Sequence, residues 1–338
     1  MNTQSKPPKL TRRSALAHLA GGSAAGAFLG TWPVQAGNSD PHAKPVRFGV
    51  ITDVHKDIMH DADHRLEVFI RKMTAEQVDF VIQLGDFCVP KESNQGFLDI
   101  WNTFPGARYH VLGNHDTDGG YRREDTVDWW RMTSRYYSFD LRGVHFVVLD
   151  GNDRPADHQS GYPRYVAEDQ LQWLRADLAK SQSPTFVFIH QSVERPDQGG
   201  VQNGAAVREI LDQANASAET RKVVACFSGH HHRDYLRRIN GILYPQINSA
   251  SYHWVGTDFQ HPSYPPSVHQ RFPYIQYTVP YRDPLFGLVT INPGEGVVAI
   301  EGRQSSFVGP APWEVGKDRT HWDAETLTAS ISDWRMAL

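Results

Sequence analysis

The chain has 338 residues, with 38 Asp+Glu against 34 Lys+Arg for a formal charge of −4, and is 40% hydrophobic and 21% charged. That composition excludes intrinsic disorder, its acidic balance argues against a nucleic-acid-binding surface, and the lack of an unbroken apolar run of about 18 residues argues against a stable membrane span. The 17 His residues point instead to proton transfer or metal ligation.

Residues 1–36 carry Lys6, Lys9, Arg12 and Arg13 and no acid, followed by a weakly apolar stretch from Ala15 to Gly30 and then Pro33-Val34-Gln35-Ala36. A basic start, a short apolar segment and a small-residue cleavage site are the parts of an export signal. Thr11-Arg12-Arg13 resembles the twin-arginine signal, with Ala15 and Ala17 where that signal usually has Phe and Lys. The resemblance implies recognition by export machinery and a periplasmic or secreted location. Cleavage after Ala36 removes four positive charges and leaves a mature chain at −8. The alternative, an amphipathic first helix, is weakened by Gly21, Gly22 and Gly26. Cys88 and Cys226 allow at most one disulfide; two buried free thiols are the simpler reading.

After a linker at 37–45, Val46–Ile51, Phe80–Leu84 and Tyr109–Leu112 read as strands. Helical patterns at Asp63–Ala75 and Gln95–Asn102 separate them, a βαβαβ opening that implies parallel strands. Tyr136–Phe139 and Val144–Leu149 flank Arg142-Gly143 as a hairpin. Glu168–Lys180 reads as a helix, Thr185–Ile189 as a strand, Ala205–Ala214 as a helix and Val223–Phe227 as a strand. Leu236–Ile239 and Ile242–Ile247 flank Asn240-Gly241, a type I′ hairpin signal, and Leu285–Ile291 with Val297–Glu301 makes a last hairpin. The pattern predicts two packed sheets covered by helices in one domain over 46–302. Residues 253–284, rich in Pro, His and Tyr without period, read as a loop insertion, and 303–338 as a tail with a helix near Ala324–Met336.

Five short pieces fall where apolar runs end: Asp53-Val54-His55, Gly85-Asp86, Gly113-Asn114-His115-Asp116, His190, and Gly229-His230-His231-His232. Ligands of α/β sheets gather at the carboxyl ends of strands, so these pieces predict one site. Carboxylate, imidazole and amide oxygen suit divalent ions such as Mn²⁺, Fe²⁺ or Zn²⁺. On an extended segment the Asp-x-His and His-x-His spacings place alternate residues on one side, with His231 turned away.

The ordered set, running from Asp53 to His232, resembles the calcineurin-like metallophosphoesterases. The resemblance implies an α/β fold of four layers, an αββα sandwich of two mixed β-sheets flanked by helices. It implies two divalent metal ions, one on Asp53, His55, Asp86 and His232, the other on Asp86, Asn114, His190 and His230, with Asp86 bridging. It further implies phosphoester hydrolysis by a hydroxide that both cations share, with His115 protonating the leaving oxygen and Asp116 orienting His115 or supporting the ligands from behind. Val89 stands where purple acid phosphatases carry a Tyr ligand, so no ferric-tyrosinate colour is expected, and Gln191 follows His190 where several branches have His or Pro.

A small phosphomonoester is the favoured substrate, with a phosphodiester or nucleotide pyrophosphate as the alternative and a lapsed binding scaffold or mononuclear module as remoter ones. Arg122, Arg123 and Arg164 are candidate phosphate contacts, and surface pairing is the alternative for each. His253 and Trp254, with His261, Tyr264 and His269, form either a wall for a planar base or a loop packing its own aromatics. His60, Asp61, Asp63 and His64 read as a solvated helix start rather than a further metal site, and Trp129, Trp130 and Trp173 as core.

Overall fold

The computed structural model describes residues 44–218, 221–316 and 326–338; the expected export signal and nearly all of the linker lie outside them. The chain begins as the apolar runs predict, with β1 (Val46–Ile51), α1 (Ala62–Ala75), β2 (Phe80–Gln83), α2 (Gln95–Asn102) and β3 (Ala107–His110). A helix with no counterpart in the sequence reading, α3 (Arg123–Trp129), precedes the hairpin β4 (Tyr137–Leu141) and β5 (Val144–Val148). Next come α4 (Glu168–Lys180), β6 (Thr185–Phe188), α5 (Gly204–Ala216) and β7 (Val223–Phe227), then the hairpin β8 (Tyr235–Ile239) and β9 (Ile242–Gln246). Both hairpins turn on residue pairs with positive φ, Arg142-Gly143 and Asn240-Gly241, the backbone a type I′ turn requires.

The remaining elements differ more from expectation. Residues 253–284 are not a structureless loop: β10 (Tyr252–Trp254) and β11 (Thr278–Pro280) form a two-stranded antiparallel sheet with α6 (Pro266–Arg271) between them. Its pieces are too short to show a period, and two of them start on prolines, Pro266 at the head of α6 and Pro273 at the head of a 3₁₀ turn. After β12 (Gly287–Asn292), β13 (Val297–Glu301) and β14 (Arg303–Gln304), the described part of the tail holds strands rather than the expected helix. β15 (Ser330–Ile331) pairs with β14, and β16 (Trp334–Ala337) pairs with β13, so the domain does not end at 302. Only Met336 of the last strand is buried, a period of two that suits a sheet edge.

The first sheet has the order β16-β13-β12-β1-β2-β3, with β1, β2 and β3 parallel and β12, β13 and β16 added antiparallel. The second has the order β4-β5-β6-β7-β9-β8, parallel from β5 to β9 and antiparallel at both edges. Both are mixed sheets, and alternation along the strands explains the layers. Phe48, Phe80 and Ile82 of the first sheet meet Phe146, Phe188 and Phe227 of the second in the shared core. The opposite faces, Ile51 and Val81 or Val147, Val187 and Cys226, pack beneath helices. α1 covers the first sheet with Leu66, Phe69, Ile70 and Met73, an i, i+3, i+4, i+7 stripe. α4 and α5 cover the second with Leu171, Leu174, Leu178, Val207, Ile210 and Leu211. Strands buried on both faces read as continuous apolar runs, which is why they were visible in the sequence. Cys88 and Cys226 are buried free thiols, and no helix among the described residues is long and apolar enough to cross a membrane.

Candidate metal centre

Every piece of the sequence constellation lies just beyond a strand end of β1, β2, β3, β6 or β7. The loops after β1 and β2 are laced together: the Asp53 amide donates to the Gly85 carbonyl at 3.0 Å and the His55 amide to the Asp86 carbonyl at 2.9 Å. The Gly229 amide donates to the His190 carbonyl at 2.9 Å, joining the ends of β6 and β7. Glycine is required where these loops touch, since a Cβ on Gly113 would collide with Asp86 and one on Gly229 with Thr52 and the Asp53 carboxylate.

The ligand side chains are not presented from extended backbone, as the alternating pattern predicted. Asp53, His55, Asp86, His230 and His232 all have positive φ, between 50° and 71°. They are five of the nine non-glycine residues with that geometry among the described residues. Left-handed backbone in non-glycine residues is costly and collects at functional sites. Here it turns each chain sharply at the strand end, so that His232 groups with Asp53 and His55 while His230 groups with Asp86 and His190.

Hydrogen bonds fix which atoms face the centre. Asp53 Oδ2 accepts from the Thr52 hydroxyl at 2.6 Å and the His230 amide at 3.0 Å, leaving Oδ1 3.1 Å from His232 Nε2. Asp86 Oδ1 accepts from the His115 amide at 2.8 Å, leaving Oδ2 3.1 Å from His190 Nε2 and 3.6 Å from His55 Nε2. Asp86 thus stands between the two groups, as a bridging ligand must. His190 Nδ1 donates to the Leu84 carbonyl at 2.8 Å and His232 Nδ1 to the Tyr252 carbonyl at 2.7 Å. In the neutral rings this leaves both Nε2 atoms as lone pairs.

The Nε2 of His232 faces Asp53 Oδ1 at 3.1 Å and lies 3.2 Å from His55 Nε2, and that of His190 faces Asp86 Oδ2 at 3.1 Å. Acceptors so arranged repel unless cations lie among them. Asn114 Oδ1 is moreover buried without a hydrogen-bond partner. The charges agree. Burial pushes Asp53 up, but the imidazoles of His232 and His190 outweigh it and hold the carboxyl well below the usual range; His190 and His115 do the same for Asp86. Burial lowers His190, yet the carboxylates of Asp86 and Asp53 raise it to about 9, while burial beside His190 leaves His230 low. The acids demand positive charge, and the oxygen and imidazole donors fit two divalent cations.

His115 lies beside the centre, its ring 5.2 Å from that of His55. Its Nδ1 meets the carboxylate of Asp118 at 2.7 Å, and the Tyr162 hydroxyl donates to the other oxygen of that carboxylate at 2.8 Å. Burial lowers the His115 ring, but Asp86 and Asp118 raise it to about 9. Asp116 does not orient this ring. Its carboxylate accepts from the amides of Asp86, Phe87 and Gly113 at 2.7–2.9 Å and holds the two ligand loops together. Asp118 and Tyr162 went unrecognised in the sequence. The signal was His-x-x-Asp in a tight turn: His115–Thr117 is 3₁₀, where side chains three apart stand on one side.

The cavity over the centre, about 310 Å³, includes His115, Arg233, His253 and Trp254 in its lining. Arg233 is buried and donates to the Thr326 hydroxyl at 3.2 Å; it too was missed. The three arginines singled out earlier do not line this cavity. Arg122 binds Asp125 at the start of α3, Arg123 binds Asp150 and Asp153, and Arg164 donates to the carbonyls of Pro196 and Gly200. His253 is buried, with Nδ1 3.1 Å from the His232 carbonyl, and Trp254 is exposed at the mouth. Beyond the centre, Asp61 pairs with Arg65 and Asp63 with Lys56 around the start of α1.

Residues 46–234 match the family described as calcineurin-like phosphoesterase. A segment of 101 residues is 36% identical to purple acid phosphatase 22 of Arabidopsis thaliana, covering 29% of this chain and 20% of that protein, so the chain spans about a fifth of that relative. Among solved structures, a dimetal phosphatase from Danio rerio has the same fold, with a TM-score of 0.56 at 16% identity over 78% of this chain and 99% of that one. GAP50, the anchor in the inner membrane complex of Plasmodium, has it as well, with a TM-score of 0.51 at 14% identity over 76% and 84%.

Proposed function

Because the chain belongs to the calcineurin-like phosphoesterase family, we propose that it hydrolyses small phosphoesters, phosphomonoesters foremost, outside the cytoplasm. The observation that carries the hydrolytic reading is the pair of ligand groups, Asp53, His55, His232 and Asp86, His190, His230, joined at Asp86 beneath an open cavity. These residues, with Asn114 beside the second group, would hold two divalent cations, which would supply charge neutralisation for the phosphate and a lowered pKa for the attacking water.

The chain's own groups supply the rest. His115 holds its Nδ1 proton on Asp118, so its Nε2 is the atom that hands a proton to the leaving oxygen, a contribution of about 10²–10⁴-fold. Tyr162 holds the far oxygen of Asp118 and fixes the carboxylate for that task. Arg233 is among the residues that line the cavity, and a dianionic phosphate gains more from its positive charge than a diester does. That charge supports the monoester preference, whereas the three arginines singled out from the sequence do not line the cavity. The N-terminal pattern of Arg12, Arg13 and Ala36 supports export.

The test is kcat/KM of the Mn²⁺-loaded protein on p-nitrophenyl phosphate and bis-p-nitrophenyl phosphate side by side. A monoester preference is expected. A diester preference overturns the choice of substrate, and no turnover of either by protein shown to hold two metals overturns the hydrolytic reading. For export, the mass of the protein recovered from outside the cytoplasm should correspond to a chain beginning at Gly37.

A further inference from the structure

Three large apolar side chains stand exposed among the described residues: Tyr162, Trp254 and Tyr274. Scattered single exposures are ordinary, but these three share one place. Tyr162 lies with its ring 4.7 Å from that of His115, and Trp254 lines the cavity over the metal centre. Tyr274 reaches Trp254 through one intermediate ring, 6.2 Å to Tyr277 and 5.9 Å onward. Tyr162 beside His115 and Tyr274 linked to Trp254 thus extend the cavity's lining as an aromatic rim. The excursion bearing Trp254 and Tyr274 is anchored. Trp254 pairs with Thr278 in the sheet of β10 and β11, and Tyr264, Val268 and Phe272 of the same excursion pack on the core beneath α1.

We propose that this rim is a stacking platform for the base of a nucleoside phosphate, making a nucleoside the preferred leaving group; this rests on the phosphoesterase reading above. Exposed aromatic faces stack on any planar base and gain little from a bare sugar or an aliphatic alcohol. The spacing favours a nucleoside over an ester with its ring directly on the phosphate. Trp254 stands one ring out from the centre, 6.3 Å from Tyr252, whose ring lies 5.0 Å from that of the ligand His55. A base held at Trp254 therefore needs a spacer between itself and the phosphorus, and a ribose is such a spacer.

Adenosine 5′-monophosphate and ribose 5-phosphate release the same kind of primary alkoxide and differ in the base. The metal-loaded full chain should prefer the nucleotide by about tenfold or more in kcat/KM, mainly through KM. The ratio should fall towards one in Trp254→Ala/Tyr274→Ala and be largely kept in Trp254→Phe. Equal kcat/KM for the two substrates in the parent chain, or a ratio that survives the double substitution, overturns the proposal. Binding of adenosine, measured by calorimetry, separates this proposal from the hydrolytic one. If neither phosphate ester turns over, the phosphoesterase reading fails, while adenosine bound by the parent and lost in the double variant still supports the platform. No adenosine binding by the parent overturns it. Both side chains are exposed, and Tyr274→Ala alone gives a second, milder variant.

Discussion

The two sheets bring unequal chemistry to the rim they share. The first ends in Asp53, His55, Asp86 and Asn114, three of them oxygen donors; the second ends in His190, His230 and His232, all nitrogen donors. Their supports cross over. Asp53 of the first sheet is held by the His230 amide of the second, and His190 of the second is held by the Leu84 carbonyl of the first. Each sheet therefore helps to aim a ligand of the other, and neither rim is a complete site. The oxygen side carries the negative charge and the nitrogen side the lone pairs, so a cation between them satisfies both at once.

The comparison is broken most severely at Asp86, which faces both groups. Asp86→Ala should lose both cations and lower kcat/KM by on the order of 10³-fold or more, read by elemental analysis beside kinetics. His232→Ala touches one group only and should leave about one metal per chain. His115→Ala should keep two metals and lose about 10²–10⁴-fold in kcat. Retained rate in that variant would remove His115 from the mechanism. Asp118→Asn should cost about tenfold and alter the pH profile, while Asp116→Ala, which strands three buried amides, should show itself first in stability. Because cations tie the two sheets together, chelation should lower Tm by at least about 5 °C, seen by calorimetry with and without Mn²⁺.

How much of this was legible in the sequence differs between the same regions. The strand ends were visible because strands buried on both faces form unbroken apolar runs, and polar residues after such runs stand out. The assignment of His230 and His232 to different groups came through resemblance, since alternation on extended backbone predicts the same side and the observed positive φ cannot be read from residue types. Partners that depend on tertiary contact were invisible: Tyr162 lies 44 residues from Asp118. Arg123 looked free for phosphate because the acids that neutralise it, Asp150 and Asp153, come 27 and 30 residues later. The tail failed for a local reason. Trp334–Ala337 is too short for its period to be recognised, and its partner strand β13 decides its conformation.

The mildest test uses an imidazole of the second sheet away from the rim. His145 opposes carboxylates as His190 does, but both its ring nitrogens are taken: Nδ1 by Asp140 at 2.7 Å and Nε2 by Asp177 at 2.8 Å. Carboxylates only accept, so both nitrogens must carry protons, and the charge that a cation supplies at the rim is supplied here by a proton. Burial lowers the His145 ring, but Asp177 and then Asp140 more than reverse it, leaving it above its ordinary value. A group protonated more readily in the folded chain stabilises it fully below the unfolded pKa, near 6.5, and that stability is lost as pH rises through the folded value. Asp140 is largely exposed, so the pair on Asp177 carries most of the effect. His145→Gln should therefore cost about 1 kcal/mol at pH 6 and progressively less at alkaline pH, measured by urea denaturation across that range. A cost that did not change with pH would mean that the ring is held as a neutral packing group, and the parallel between proton and cation would fail.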